Sequence, residues 1–480
     1  MSTAFPLRLT LEQARHSQRC FFIFALLNAF SFAALAESIL MLFALKLGAT
    51  AFEIGLLASY INLTMIFMFL GKFMVSRWGA AKTYGACWLS RNVAAALMIF
   101  APYFYYEYSP SAGLTLLLAS SFLFFVFRGM GVAAHNVLLN DITSEQSRGR
   151  FMGINSAGTN LVMLSTLIAL SFYLKGEPSF LRFQIVVAWG CVMGIASSFA
   201  AFAVRESEGP RQSSREPLLW ALSLVFQQKG IRRLVLAWIA ATIGVQLLIP
   251  FQVLAVKKGY LLADAMVVRF VAVQMLGSMA AAYLNSLLLD RAGPRPVLII
   301  NVLALAMCSA VWALSPGAVN FVYTDVLFFI AGFCSLTVQI CLQHYFLNIV
   351  RKQSVVNLSL VVSMLEGACA GLAGTFLGGG VLLLLPQYGL EGMEVYRVYF
   401  AGVAVLQLGA ALLVRRLQPL VERRVPEVLG MMFSLRDWRA MLSVQRLAQT
   451  PELERVETLI DELAILQSNV SEQTLLEYLD

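Results

Sequence analysis

Six polar side chains stand inside long apolar stretches and could do chemistry there: Glu37, Arg128, Gln246, Glu366, His135 and His344. A charged side chain at bilayer depth costs about 3 kcal/mol on insertion scales, so each charge is a candidate for function. A carboxylate that exchanges an arginine partner for apolar surroundings changes its proton affinity. Glu37 or Glu366, alternating around Arg128, would in this way couple proton movement to the movement of a second solute. The bland alternative is a fixed Glu–Arg pair that only holds helices together. Histidine titrates near neutrality, so His135 and His344 would suit a proton relay or a polar solute contact, although as interhelical hydrogen-bond partners they need neither role. Arg91 is expected to snorkel or to pair with a neighbouring helix. Asn28, Asn136, Asn160, Gln252, Gln339 and Gln343 could hydrogen-bond a hydroxylated solute or one another.

The elements that position these groups follow from composition. Of 480 residues, 59% are hydrophobic and 13% charged, and mean hydropathy is +0.75. Soluble domains carry roughly a quarter charged residues, so the chain reads as an all-helical membrane protein in a lipid bilayer. About 20 apolar residues cross the hydrocarbon core as a helix. On that ruler the spans are Cys20–Leu47, Ala51–Ser76, Thr83–Tyr105, Gly113–Asn140, Phe151–Leu174, Phe180–Val204, Leu234–Val256, Asp264–Leu289, Val297–Leu314, Asn320–Ile349, Ser354–Leu385 and Val395–Val414. Counting about 1.5 Å per residue from one face puts Arg128 and Glu366 near mid-depth, with Glu37 about a turn further out and Gln246 level with it.

The net charge of +8 does not point to nucleic acid, because the basic residues sit in short clusters between apolar runs. They alternate: Arg15 and Arg19 precede the first span, Arg77 and Lys82 follow the second, Arg148 and Arg150 the fourth, Arg291 and Arg295 the eighth, Arg415 and Arg416 the twelfth. The positive-inside rule then places both termini in the cytoplasm, with Arg182, Arg269 and Arg397 weakening the contrast without reversing it. The polar stretch after the sixth span divides the chain into an N-terminal six-helix bundle (1–204), a central loop (205–233), a C-terminal bundle (234–416) and a tail (417–480). The tail is acidic toward its end, with Leu453, Val456, Leu459, Ile460 and Leu463 at helical spacing, and could dock a cytoplasmic partner. All seven Cys lie in or beside apolar runs without a C-x-x-C, as small buried apolar residues do. No nucleophile–base set, nucleotide loop or metal-ligand spacing appears, so the chain reads as no enzyme, and no cofactor or metal is implied.

Between the eighth and ninth spans lies Ser286-Leu-Leu-Leu-Asp290-Arg291-Ala-Gly293-Pro-Arg295. It resembles the signature loop of the major facilitator superfamily, G-x-x-x-D-R-x-G-R-R, with Ser286 in place of the leading Gly. Lys72-Phe-Met-Val-Ser76-Arg77-Trp-Gly79 occupies the equivalent place in the first half, with Ser76 where Asp is expected. Arg128-Gly129-Met-Gly131, then Asp141 and Arg148-Gly-Arg150, is similar to the family's fourth helix and its exit, although Phe125 stands where the usual Arg would be. The resemblance implies twelve helices in two pseudo-symmetric bundles. It also implies a central cavity lined by Glu37, Arg128 and Gln246, and a cytoplasmic gate built from Asp290, Arg291, Gly293, Arg77, Arg148 and Arg150. The function it implies is secondary active transport of a small molecule by alternating access, proton-coupled, in a bacterial inner membrane. The alternatives are a lipid or amphiphile translocator, or a transporter-like sensor that docks a partner through its tail.

Overall fold

The protein, seen in a computed structural model, is described over residues 9–443 except 36, 144, 177, 216–217, 351–354, 420–424, 435 and 441–442; side chains at 37, 136, 145–150, 213, 219, 286, 290–291, 355–356 and 432–433 also lie outside the described set. Among the described residues there is no strand. Helix α1 runs Leu11–Leu35 and resumes as Glu37–Lys46. Then come α2 (Ala51–Trp78), α3 (Ala80–Ala96, prolonged by Leu97–Phe100 and Ala101–Glu107), α4 (Pro110–Ile142), α5 (Glu145–Tyr173) and α6 (Phe180–Phe202). Two short connecting helices, Gly209–Ser213 and Leu218–Gln227, lead to α7 (Lys229–Gly259), α8 (Asp264–Ala292), α9 (Pro294–Ala313), α10 (Phe321–Ile349), α11 (Val355–Ala373, then a π-helical turn Gly374–Gly380) and α12 (Met393–Arg415). Twelve apolar segments are therefore helices, with ends shifted by a few residues from the sequence reading. Among the described residues, eleven are long and apolar enough to cross a membrane; α3 is the exception, its longest unbroken piece being 17 residues.

Local chemistry sets the helix starts. Thr50 and Glu53 form a reciprocal capping box at α2, the Thr50 N–H donating to the Glu53 carboxylate at 2.7 Å and the Glu53 N–H to Oγ1 of Thr50 at 3.3 Å. Ser109 caps α4 ahead of Pro110, and Asn320 caps α10. The turns α2–α3 and α8–α9 each pivot on one glycine with positive φ, Gly79 at 95° and Gly293 at 81°, a conformation that L side chains avoid. These are the two glycines aligned in the sequence, so the repeat is real in the backbone.

Helix packing repeats as well. In the first half α1 packs on α5 and α6, and α3 on α4 and α6; in the second, α8 packs on α10, α9 on α10 and α12, and α7 on α11 and α12. Glycines form the tightest crossings. A Cβ on Gly71 (α2) would stand 1.8 Å from the Met130 carbonyl oxygen of α4, and one on Gly129 (α4) 2.3 Å from that of Thr64 (α2). The same reciprocal arrangement joins α8 and α10, where Gly277 meets the Phe329 oxygen at 2.1 Å and Gly332 the Gln274 oxygen at 1.9 Å. Small residues permit such backbone approach where lipid leaves little hydrophobic drive between helices. The outward faces are apolar: α6 exposes Leu181, Ile185, Val192 and Phe199 while burying Phe183, Val186, Val187 and Cys191.

The halves meet along α2–α11 and α5–α8. On α11, Gly367, Gly371 and Gly374 abut Asn62, Leu63 and Ser59 of α2. At the face away from the arginine-rich connections, Phe52 meets Phe376 with ring centroids 6.3 Å apart. There the Lys258 ammonium also donates to the Ala49 carbonyl oxygen at 3.0 Å. Near the arginine-rich face, the buried Lys72 donates to the buried Asn357 of α11.

Candidate functional site

Three of the polar groups at membrane depth involve the candidate residues. On α11, the Glu366 carboxyl accepts a hydrogen bond from the Trp238 indole N–H of α7. Its buried Oε2 has no hydrogen-bond partner, and among the described residues Glu366 makes no ion pair. Trp238 in turn packs edge-on against Phe346 of α10, with ring centroids 5.9 Å apart. Leaving an acceptor unpaired in the interior costs about 1–3 kcal/mol when it is neutral and more when it is charged.

The second group sits at the seam between halves. Oε1 of Gln246, on α7, accepts from Nδ2 of Asn62 on α2 at 2.6 Å, and its Nε2 donates to the Ala58 carbonyl oxygen at 3.1 Å. Gln246 is buried. The structure thus places it in contact with α2 and with Gly374 of α11. Gln252, a candidate partner for hydroxylated solutes, donates through Nε2 to Oε1 of Gln274 in its own half at 2.8 Å, while its own buried Oε1 has no hydrogen-bond partner among the described residues.

The third group fills the first half. Oδ1 of Asn28 on α1 accepts from both the Trp88 indole and Nη2 of Arg91 on α3, each at 2.8 Å. The Arg91 guanidinium lies 4.9 Å from the Trp88 ring centroid and 4.6 Å from that of Phe124, positions that give cation–π attraction. It is 0% exposed. Snorkelling does not occur: Asn28 of α1, Phe124 of α4 and Trp88 of its own helix hold Arg91, and no acid pairs with it among the described residues. Arg128, on α4, lies over Phe32 of α1 at 5.8 Å.

The two histidines differ. His135 Nδ1 is 2.9 Å from the Tyr84 hydroxyl, with Phe21 against its ring, whereas His344 contacts Asn348 one turn along its own helix. Glu366 and Arg128 are not brought together as an ion pair. The side chains of Glu37, Arg148, Arg150, Asp290 and Arg291 lie outside the described residues, as does the tail beyond residue 443.

At the arginine-rich face of the first half, the opening segment of the central loop ties four helices together. Glu206 accepts from the N–H groups of Ala80 at 2.6 Å and Ala81 at 3.2 Å, the unpaired N-terminus of α3. The Ser207 N–H donates to Asp141 of α4 at 2.7 Å, Arg205 exchanges two hydrogen bonds with Ser17 of α1, and Arg211 donates to the Arg77 carbonyl oxygen. Ser76, which stands where an Asp is expected, bonds back to Phe73 and to no other described residue. Glu206 thus supplies a carboxylate to a helix N-terminus close to the one the signature loop lacks. The available signal was an acid two residues beyond the first basic residue after a span, too short a pattern to read alone.

Burial pushes the Glu206 carboxyl up to about 7; the Ala80 and Ala81 N–H groups oppose the rise, Asp141 adds to it and Lys82 opposes it. A carboxyl whose folded pKa exceeds its unfolded value binds its proton more tightly when folded. Its stabilising contribution is therefore complete below about pH 4.5 and is lost as pH rises to about 7. Linkage bounds the loss at about 3 kcal/mol. Glu206→Gln is expected to flatten that part of the pH profile, read as the denaturation midpoint of purified protein between pH 5 and 8. A wild-type midpoint that does not move over this range contradicts the assignment.

The Major Facilitator Superfamily pattern matches residues 21–374 of this sequence, more than half of the chain. The chain belongs to the major facilitator superfamily. Solved structures agree on the fold of this superfamily member. It superposes on the nucleoside transporter NupG with a TM-score of 0.64 at 16% identity, covering 84% of this chain and 100% of that one. A D-xylose-proton symporter gives 0.64 at 13% identity over 84% and 97%. The xylose transporter XylE from E. coli, in a partially occluded inward open conformation, gives 0.62 at 13% identity over 86% and 99%. No curated protein sequence matches the chain. The paired glycine crossings and the twin glycine turns are the repeat expected of this superfamily, so the twelve-helix, two-bundle reading stands.

Proposed function

We propose that this superfamily transporter carries a small molecule by alternating access and couples it to protons through Glu366. The observation that carries this reading is the Glu366 carboxyl itself, set in α11 with one indole donor and, among the described residues, a buried oxygen without a partner and no cation paired to it. Residues 1–204 and 234–416 are the moving halves, joined by 205–233, with the arginine-rich face and both termini in the cytoplasm of a bacterial inner membrane. Contacts on either side of the membrane then act as gates: Phe52–Phe376 and Lys258–Ala49 outside, Lys72–Asn357 inside. The signature-loop residues Asp290, Arg291, Arg148 and Arg150, with Gly293 and Arg77, belong to the inner gate. Gln246 joins the halves at the seam, and Glu37, Arg128, His135 and His344 complete the set of polar groups along the path. Purified protein in liposomes loaded with a pH-sensitive dye tests the reading. An imposed proton gradient drives accumulation of a substrate that is otherwise only equilibrated, whereas a sensor binds its ligand without accumulating it.

A further inference from the structure

Arg91 is the one fully buried arginine of the described residues, and what surrounds it is incomplete. Nη2 donates to Asn28, while Nε and Nη1 are buried without a hydrogen-bond partner. Its other neighbours are the faces of Trp88 and Phe124. No carboxylate pairs with it among the described residues, and the ionic group acting on it from α4 is Arg128, of the same sign. A buried cation without a counter-charge is strongly unfavourable, and a like charge nearby makes it more so. Structural arginines avoid this arrangement by pairing. Asn28 gives the cluster a partly accessible side: it is half-buried, as are Phe32, one turn along α1, and Arg128, which lies over Phe32.

We propose that Arg91, with Asn28 and Arg128, is a binding site for an oxyanion, and that the transported molecule carries a carboxylate or comparable anionic group. The anion takes the place of Asn28 as the acceptor for Arg91, and its charge offsets that of the buried Arg91 guanidinium. Such charge-assisted bonds are about twice as strong as neutral ones. Trp88 remains to bond Asn28, so the amide swings without losing every partner. This assignment rests on the transport reading above and adds the chemical class of the substrate to it.

Thermal melting of the purified full-length protein tests the site without requiring transport. The probes are sodium lactate, sodium citrate and inorganic phosphate, with glucose and choline as neutral and cationic comparators at matched ionic strength. The expected result is a saturable rise in melting temperature with at least one anion and none with the comparators. That rise disappears in Arg91→Met, a replacement of similar length without charge, and survives in weakened form in Arg91→Lys. No anion effect on the wild type, or an equal effect in Arg91→Met, overturns the proposal; should Arg91→Met not fold, loss of the effect in Arg91→Lys does the same. Liposome uptake separates this from the transport reading: accumulation of neutral solutes only leaves transport standing and removes the anion site. Anion-induced stabilisation without any proton-driven accumulation does the reverse.

Discussion

Glu366→Gln is expected to bring substrate-driven proton flux in proteoliposomes down to the level of empty vesicles, while substrate exchange at equal concentrations on both sides persists. Glutamine fixes the side chain in a neutral, hydrogen-bonding form close in shape to a protonated carboxyl. It can still accept from the Trp238 indole, so the α7–α11 contact is kept and only the ability to gain and lose a proton is removed. Exchange needs the halves to move with substrate bound and no net proton transfer, and so it survives. The split between the two assays separates a coupling group from one that merely holds helices together, because a structural residue would depress both. Unchanged proton flux in Glu366→Gln takes this carboxyl out of the mechanism.

The largest expected effect on folding comes from a single methyl group. Gly71→Ala places a Cβ 1.8 Å from the Met130 carbonyl oxygen, and Gly332→Ala places one 1.9 Å from that of Gln274. In both cases the obstacle is helix backbone, which cannot turn aside as a side chain would. Overpacking a close seam costs about 1–3 kcal/mol, and these two substitutions should fall at or above the top of that range because α2 must part from α4, or α8 from α10. Gly409→Ala on α12 is the control, since nothing lies within 4 Å of its added Cβ. Yield of folded protein and denaturation midpoint in detergent report the difference. The two crossings belong to different halves and share no contact, so their costs should add, while Gly71→Ala and Gly129→Ala strain the same crossing and should not.

How far the sequence could be read differs from element to element for physical reasons. Hydropathy alone located all twelve helices, because the length of an apolar run is fixed by bilayer thickness. Gly79 and Gly293 could be aligned because a positive-φ turn accepts little else. Arg91 could not be placed: a helix of mostly small apolar residues such as α3 has no polar face to show which side turns inward, and its partners Asn28 and Phe124 come from other helices. Gln246 was expected beside the solute, yet its bonds run to α2, a contact between halves that no local pattern encodes. His135 and His344 are the same residue type in apolar runs, but Tyr84 on α3 gives the first a partner across the bundle, while the second bonds to Asn348 within α10. The order of the loop segment around Glu206 has no local pattern because it comes from hydrogen bonds to four separate helices.

The account depends on the two halves parting at the outer face during each cycle. In a background with the seven native Cys replaced, Phe52→Cys and Phe376→Cys place thiols on side chains whose rings now lie 6.3 Å apart. A short, cleavable thiol cross-linker joining them should stop proton-driven transport in proteoliposomes, and cleavage should restore it. Full transport with the cross-link intact would mean that this seam never opens, and would contradict alternating access between the halves.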